Sequence, residues 1–376
     1  EEVEELKRQI LLRKEKEKEY KQRTAAKRIT LSEAAKELSG QVMIKDTPVA
    51  KFERGILLWL DEKRAPLAIK TTKDLTAFLS LRVIDGSRTN ARLLKKALHI
   101  QEQDGFVISL YAYAASISDR YWFKPSHSKL HYKDICFDND AFSDLALKGE
   151  LSFFPKQGRQ TPELTTVGSF EKGWKRIDGE WWLYKSGKKE ALFSELYCSS
   201  LATLMGVPTA RYEYADGFVR TKNFADALSF EPMASLVGDD DDYKNVFKAL
   251  LPFGEAIQKE YLRLMAFDAI VANVDRHNEN YGFLRDEENG DIVSLAPNFD
   301  DNLALLGAMP VLGKNPAKDG LISLFSKFIH ECGQAKSLFL DLVFPSLLKE
   351  DFEKACSTIP TSLFPDGLDE LIDALC

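Results

Sequence analysis

Residues 273–306, NVDRHNENYGFLRDEENGDIVSLAPNFDDNLALL, crowd carboxylates and carboxamides against apolar runs too short to keep them apart. Asp275 and Asn280 are separated by four residues. Two strand-like runs, Tyr281 to Arg285 and Ile292 to Ala296, flank DEENGD, whose Asn289 and Gly290 can adopt positive φ in a hairpin turn. Antiparallel pairing of the two runs would return the chain to its start. Asn280, before the first run, and Asp300, after the second, are therefore expected near one cation, and their oxygen donors suit magnesium.

The spacing of Asp275 and Asn280 is that of a protein-kinase catalytic loop, in which the aspartate meets a substrate hydroxyl and the asparagine a magnesium ion. DRHNEN followed by SLAPNFDDNLAL resembles the catalytic and metal-binding segments of the HipA-like serine/threonine kinases. These are bacterial proteins often encoded as toxins beside a DNA-binding antitoxin. The resemblance rests on the inverted DRH triplet, the asparagine five residues after its aspartate, and the APNFD element at hairpin distance. It implies ATP and Mg²⁺ as cofactors, Asp275 as the group that orients or deprotonates the acceptor, and Asn280 and Asp300 as metal ligands. His277 is a candidate for fixing Asp275, and Asp301 for a second metal or a structural hydrogen bond.

Upstream, TTVGSFEKGWKR (165–176) offers Gly168, Gly173, the hydroxyls of Thr165, Thr166 and Ser169, and the base Lys172. Glycine and small polar residues let backbone amides approach phosphate oxygens, although a plain hairpin reads the same way. The segment is similar to the family's phosphate-binding loop, whose hydroxyl, glycine and lysine fall on Thr165, Gly168 and Lys172. The family's autophosphorylation site matches Thr165. There is no GxGxxG run, so which amides would touch phosphate stays open. In EWWLYK, alternation places Trp181, Leu183 and Lys185 on one face. The next segment is helical, with Glu195 on a stripe with Leu192, Ser199 and Ala202. Lys185 and Glu195 resemble the strand-lysine and helix-glutamate pair of kinases. Adenine is expected against the strand backbone from Val219 through Thr221 to Lys222.

The 376 residues exceed what one core usually holds. The resemblance implies an α+β, two-lobed protein-kinase-like fold: a small β-rich nucleotide lobe at 149–225 and a larger helical lobe at 226–376. Before them are expected a charged helical arm at 1–28 and an accessory domain at 29–148. In the latter, VMIKDTPVAKFE reads as strand, turn and strand, and LLWL with PLAI continues it. Helical spacing then puts Leu75, Phe78 and Leu79, and further on Leu93, Leu94 and Leu98, on inward faces. Toward the C terminus KSLFLDLVF and the stretch after Pro345 read as helices.

A net charge of −7 disfavours broad nucleic-acid binding. Cys136, Cys198, Cys332, Cys356 and Cys376 are scattered without a CxxC, which argues for reduced thiols rather than zinc or disulfides. With no membrane-spanning apolar run and no leader pattern, a cytoplasmic address is expected. The implied activity is phosphoryl transfer to protein serine or threonine, with the translation apparatus a candidate substrate and an antitoxin a candidate partner. The alternative is a kinase-like binding module without strong catalysis.

Overall fold

The computed structural model describes residues 38–100, 105–150, 160–225, 227–305 and 316–375. The expected arm at 1–28, residues 151–159 and Cys376 lie outside them. Among the described residues, three small antiparallel sheets and helices of varied length make a mixed α/β fold.

In the N-terminal region β1 (Gly40–Ile44), β2 (Thr47–Glu53), β3 (Ile56–Trp59) and β4 (Tyr121–Pro125) form a sheet in the order β3-β2-β1-β4. Alternation turns Val42, Ile44, Ala50 and Phe52 toward Ile69, Phe78 and Leu79. PLAI, expected to extend the sheet, is helical instead. Pro66 has no N–H to leave unpaired ahead of the helix Leu67–Thr72, which Lys73 closes in a left-handed conformation at φ 59°. Asp74 then caps the helix Leu75–Ser80, its carboxylate accepting from Thr76 N at 2.9 Å. Leu94 and Leu98 are buried as expected, but Leu93 is 42% exposed. The helix Thr89–Ala97 has so narrow an apolar stripe that the adjacent leucine falls outside it.

A second sheet, β5 (Lys172–Ile177), β6 (Glu180–Lys185), β7 (Tyr212–Ala215) and β8 (Phe218–Lys222), runs in the order β5-β6-β8-β7. Asp216 and Gly217, both at positive φ, make the tight turn between β7 and β8. The helix Lys189–Leu204 connects β6 to β7 and is buried nearly all round. It shares a core with Phe267 and Val271 of the helix Glu255–Val271.

The third sheet contains β9 (Ser229–Pro232), β10 (Gly282–Arg285) and β11 (Ile292–Leu295), in the order β11-β10-β9. The DEENGD turn between β10 and β11 meets the N-terminal region. At Gly290 (φ 73°) an added Cβ would lie 2.5 Å from Lys63 O, so only glycine fits. Arg285 donates to Ala65 O (3.0 Å) and Lys63 O (2.9 Å) and pairs with buried Glu231, which accepts from Leu67 N at 2.6 Å. A buried polar weld thus joins the N-terminal region to this sheet.

The helices Pro316–Glu331 and Gly333–Leu340 cover the helix Glu255–Val271. The expected helix through KSLFLDLVF stops at Leu340, and the stretch after Pro345 is α-helical only at Lys349–Lys354 and Leu368–Leu375, with Pro360, a 3-10 turn at Thr361–Leu363 and Pro365 between them. The described cysteines are free. No helix among the described residues is long and apolar enough to cross a membrane.

Candidate active site

The helix Glu255–Val271 carries the site. Ile257, Tyr261, Leu264 and Met265 anchor it, while Ile270 is only partly buried. Ala272, at φ 52°, stops the helix, and the chain turns into a loop that bonds to itself. Asn273 Oδ1 accepts from Asp275 N (3.2 Å), and His277 N donates to Asp275 O (2.8 Å). Asn280 Nδ2 donates to Asp275 O at 3.0 Å, so its Oδ1 is left facing away from that bond.

Arg276 ties this loop to the segment after β11. Its guanidinium donates to Asn280 O (2.8 Å) and Phe299 O (2.7 Å), to both carboxylate oxygens of Asp268 (2.9 and 3.0 Å), and to Asp301 Oδ1 (2.7 Å). Burial pushes Asp268 up to about 6, against the pull of Arg276. Asp301 also accepts from Asn273 (3.0 Å) and Asn298 (2.6 Å). Of the two roles expected for Asp301 the geometry supplies the structural one, since both carboxylate oxygens already have donors. His277 is exposed, and its Nδ1 accepts from Glu279 N at 3.3 Å. The imidazole makes no hydrogen bond to the Asp275 carboxylate, so its expected role in fixing that group is not one of direct contact. Arg276 organises the loop instead.

Asp300 sits at φ 65°, a strained backbone for a residue with a Cβ. Its Oδ1 accepts from Lys185 Nζ at 2.7 Å, and Lys185 also pairs with Glu195. The expected strand-to-helix pair is therefore present and extends to a third member. Burial opposes charge on all three groups. Even so, Asp300 and Glu195 raise Lys185 well above its ordinary value, while Lys185 and Lys172 hold Asp300 far below its own. Glu195 goes the other way: burial, with Asp300 and Asp301 nearby, pushes it up despite Lys185. The lysine charge is thus matched first by Asp300. Asp275 is half-buried and raised by burial, with His277 opposing and Asp300 adding to the shift.

Lys172 stands opposite Lys185 in the β5–β6 register. It is buried, and burial brings it down to about 8. Its ammonium lies beside Gly168, where an added Cβ would come within 2.3 Å of Nζ. Thr165 is buried, its hydroxyl donating to Ala115 O at 2.6 Å, and Thr166 Oγ1 accepts from Trp174 Nε1 at 3.0 Å. Ser169 is the exposed hydroxyl of the three.

Thr165, Gly168, Ser169, Lys172, Lys185, Thr221, Asp275, His277, Asn280 and Asp300 all line one cleft between the second and third sheets. Val219 does not. It is wholly buried, and its strand is interior, paired with Lys185 on one side and Tyr214 on the other. No backbone group of Val219 can therefore face adenine. The cleft wall after β8 is Asn223 and Phe224. Glu195 and Asp301 lie behind the wall. Arg276, Asn298 and Tyr212, whose ring faces Lys185 Nζ at 5.1 Å, were not among the expected site residues. The arginine inside the DRH triplet was the available signal.

Among the described residues no three His, Cys, Asp or Glu side chains are grouped to hold a metal ion. Asn280 Oδ1 and Asp300 Oδ2, neither with a donor among the described residues, belong to two residues of the same cleft and are hard oxygens of the kind that suits magnesium when ligand phosphates and water complete its shell.

The HipA-like C-terminal domain model matches residues 160–358. No curated protein matches the chain. The HipA toxin–antitoxin system of Shewanella oneidensis MR-1, solved with HipB and operator DNA, contains a chain 13% identical over 89% of this one and 96% of its own length, at TM-score 0.52. The Helicobacter pylori proinflammatory kinase CtkA is 17% identical over 56% of this chain and 92% of its own, at TM-score 0.34. The first of these likenesses is one of fold. With more than half of its residues matched, including every cleft residue named above, the chain belongs to the HipA-like C-terminal domain family.

Proposed function

We propose that the protein transfers the γ-phosphoryl group of ATP to a serine or threonine hydroxyl of a protein, in a two-lobed kinase arrangement. The observation that carries the reading is the Lys185–Asp300 ion pair, backed by Glu195 behind the wall, in the same cleft as Asp275, whose carboxylate has no hydrogen-bond donor among the described residues. Asp275 would take the hydroxyl proton as the acceptor oxygen bonds to phosphorus and ADP leaves. Lys185 and Lys172 would face the phosphates as negative charge moves toward the leaving group. Positioning and charge stabilisation of this kind account for most phosphoryl-transfer catalysis. Asn280 and Asp300 would hold Mg²⁺, which supplies charge neutralisation on the phosphates. Adenine would lie against Thr221, Asn223 and Phe224.

A cytoplasmic toxin-type regulator with an antitoxin partner is the setting that best suits the family, and a fold shared with a chain from a HipA–HipB–DNA complex is consistent with it. The experiment is parallel incubation with γ-labelled and α-labelled ATP, using the unsubstituted protein and Asp275→Asn. Label from γ alone, lost in Asp275→Asn while ATP still binds, is the expected result. Transfer of α label would indicate an AMP transferase. No transfer despite ATP binding would leave a kinase-like binding module.

A further inference from the structure

The phosphate loop is seated by residues far from it in sequence. Ile84 N donates to Leu164 O (3.2 Å), Thr165 Oγ1 to Ala115 O (2.6 Å) and Asn90 N to Glu171 Oε1 (3.2 Å). At the centre is Arg88, which precedes the helix Thr89–Ala97 of the N-terminal region and is 2% exposed. Its Nη2 donates to Thr166 O (2.9 Å) and Gly168 O (3.0 Å), and its Nε to Gly168 O (3.3 Å).

The consequence follows from peptide geometry. In a planar trans peptide the C=O of one residue and the N–H of the next point in opposite directions. Holding Thr166 O and Gly168 O toward Arg88 therefore turns the N–H groups of Val167 and Ser169 the other way, and Val167, Gly168 and Ser169 line the cleft. Neither N–H has an acceptor among the described residues. Two alternate amides, flanking Gly168, are thus presented beside Lys172, where oriented backbone N–H groups can receive an anion.

We propose that Arg88 is the positioning residue of the phosphate loop, so that the N-terminal region forms part of the nucleotide site. The inference rests on the phosphoryl-transfer reading and extends it to the loop amides that motif spacing left open. Arginine is favoured because Nη2 reaches both carbonyls while Nε, fixed in the same plane, gives Gly168 O a second donor, a rigid arrangement that a flexible ammonium does not hold. The guanidinium also offsets the charge of Glu163 and Glu171, each of which has one buried carboxylate oxygen without a partner.

The test uses the full chain with Arg88→Gln and Arg88→Lys, titrated calorimetrically with Mg-ATP and separately with adenosine. Both variants should lose ATP affinity by about tenfold or more, with adenosine affinity changed by less than about twofold. In turnover, KM for ATP should rise more than kcat falls. Hydrogen exchange should accelerate in peptides covering 164–171 and stay unchanged in β10 and β11. Arg88→Lys keeps the charge and carries the test if Arg88→Gln does not fold. A folded variant that binds ATP within about twofold of the unsubstituted protein would overturn the positioning role alone. Equal loss of ATP and adenosine, or faster exchange throughout the chain, would overturn it in favour of general structural support. An unsubstituted protein that binds no nucleotide would overturn the phosphoryl-transfer reading and the role of Arg88 with it.

Discussion

Arg276→Gln should unseat the loop that carries Asp275 by leaving two buried carboxylates without the guanidinium that pairs with both. Asp268 and Asp301 are 2% and 1% exposed in their side chains, and the arginine is 5% exposed, so water cannot replace the guanidinium. Removing one partner of a buried ion pair costs about 3–5 kcal/mol. For a body of 150–250 residues each kcal/mol moves Tm by about 2–4 °C, so a fall of roughly 6–20 °C is expected. The loss should depend on pH in a definite direction. Without Arg276 the folded pKa of Asp268 rises further above its unfolded value, and that of Asp301, already raised by burial, does the same. A carboxyl raised on folding contributes stability below its unfolded pKa and loses that contribution as pH climbs through the folded one. Arg276→Gln should therefore be most damaging at alkaline pH and partly relieved as pH falls toward about 6, the value Asp268 has with Arg276 in place, because without the arginine its carboxyl takes up a proton before that point. Thermal unfolding of both proteins across this range, followed by near-ultraviolet circular dichroism, reads the effect. A loss below about 1 kcal/mol that does not vary with pH would refute the account of Arg276 as the electrostatic tie between the loop and the segment after β11.

Replacing Lys185 or Glu195 by an uncharged residue should impair transfer, and the double variant should be little worse than the poorer single one, because members of one unit are not additive. Additive losses in kcat/KM would show that the two side chains act separately. ATP affinity should be full below pH about 8 and fall above it, because burial brings Lys172 down to about 8 and bound phosphate favours its charged form. Lys172→Arg should flatten that profile in calorimetric titrations, and a flat profile in the unsubstituted protein would argue against contact with phosphate. Finally, prolonged incubation with Mg-ATP should place a phosphate on the loop, on Thr165 by family resemblance. That requires its hydroxyl to leave Ala115 O, and a group carrying roughly −1.5 to −2 charge cannot return to the buried seat. Fragment mass spectrometry with Asp275→Asn as control checks this, and loop phosphate at full occupancy in protein that remains active would contradict it.

Local patterning accounts for much of the fold. The strand EWWLYK and the turn at Asn289–Gly290, where Gly290 alone takes positive φ, were readable, because each is set by side-chain period or by turn residues within a few positions. The errors share a cause as well. PLAI has the composition of a strand but follows a proline that starts a helix, and Leu93 depends on how a short helix is rotated against its neighbours.

The sequence by itself determined that Asp275, Asn280 and Asp300 would meet, since a hairpin of readable length returns the chain to its start. Lys185 and Glu195, ten residues apart on a strand and the helix that follows it, were within the same reach. Only the tertiary structure decided what surrounds them. Val219 is excluded from the cleft because both edges of its strand are paired, which depends on sheet order rather than on any residue in the strand. Asp301 is claimed by Arg276, Asn273 and Asn298, and Arg88 reaches the loop carbonyls from about eighty residues away. Hydrogen bonds across such separations leave no periodic trace in sequence, because the partners are brought together by packing of whole elements rather than by the spacing of residues along one of them.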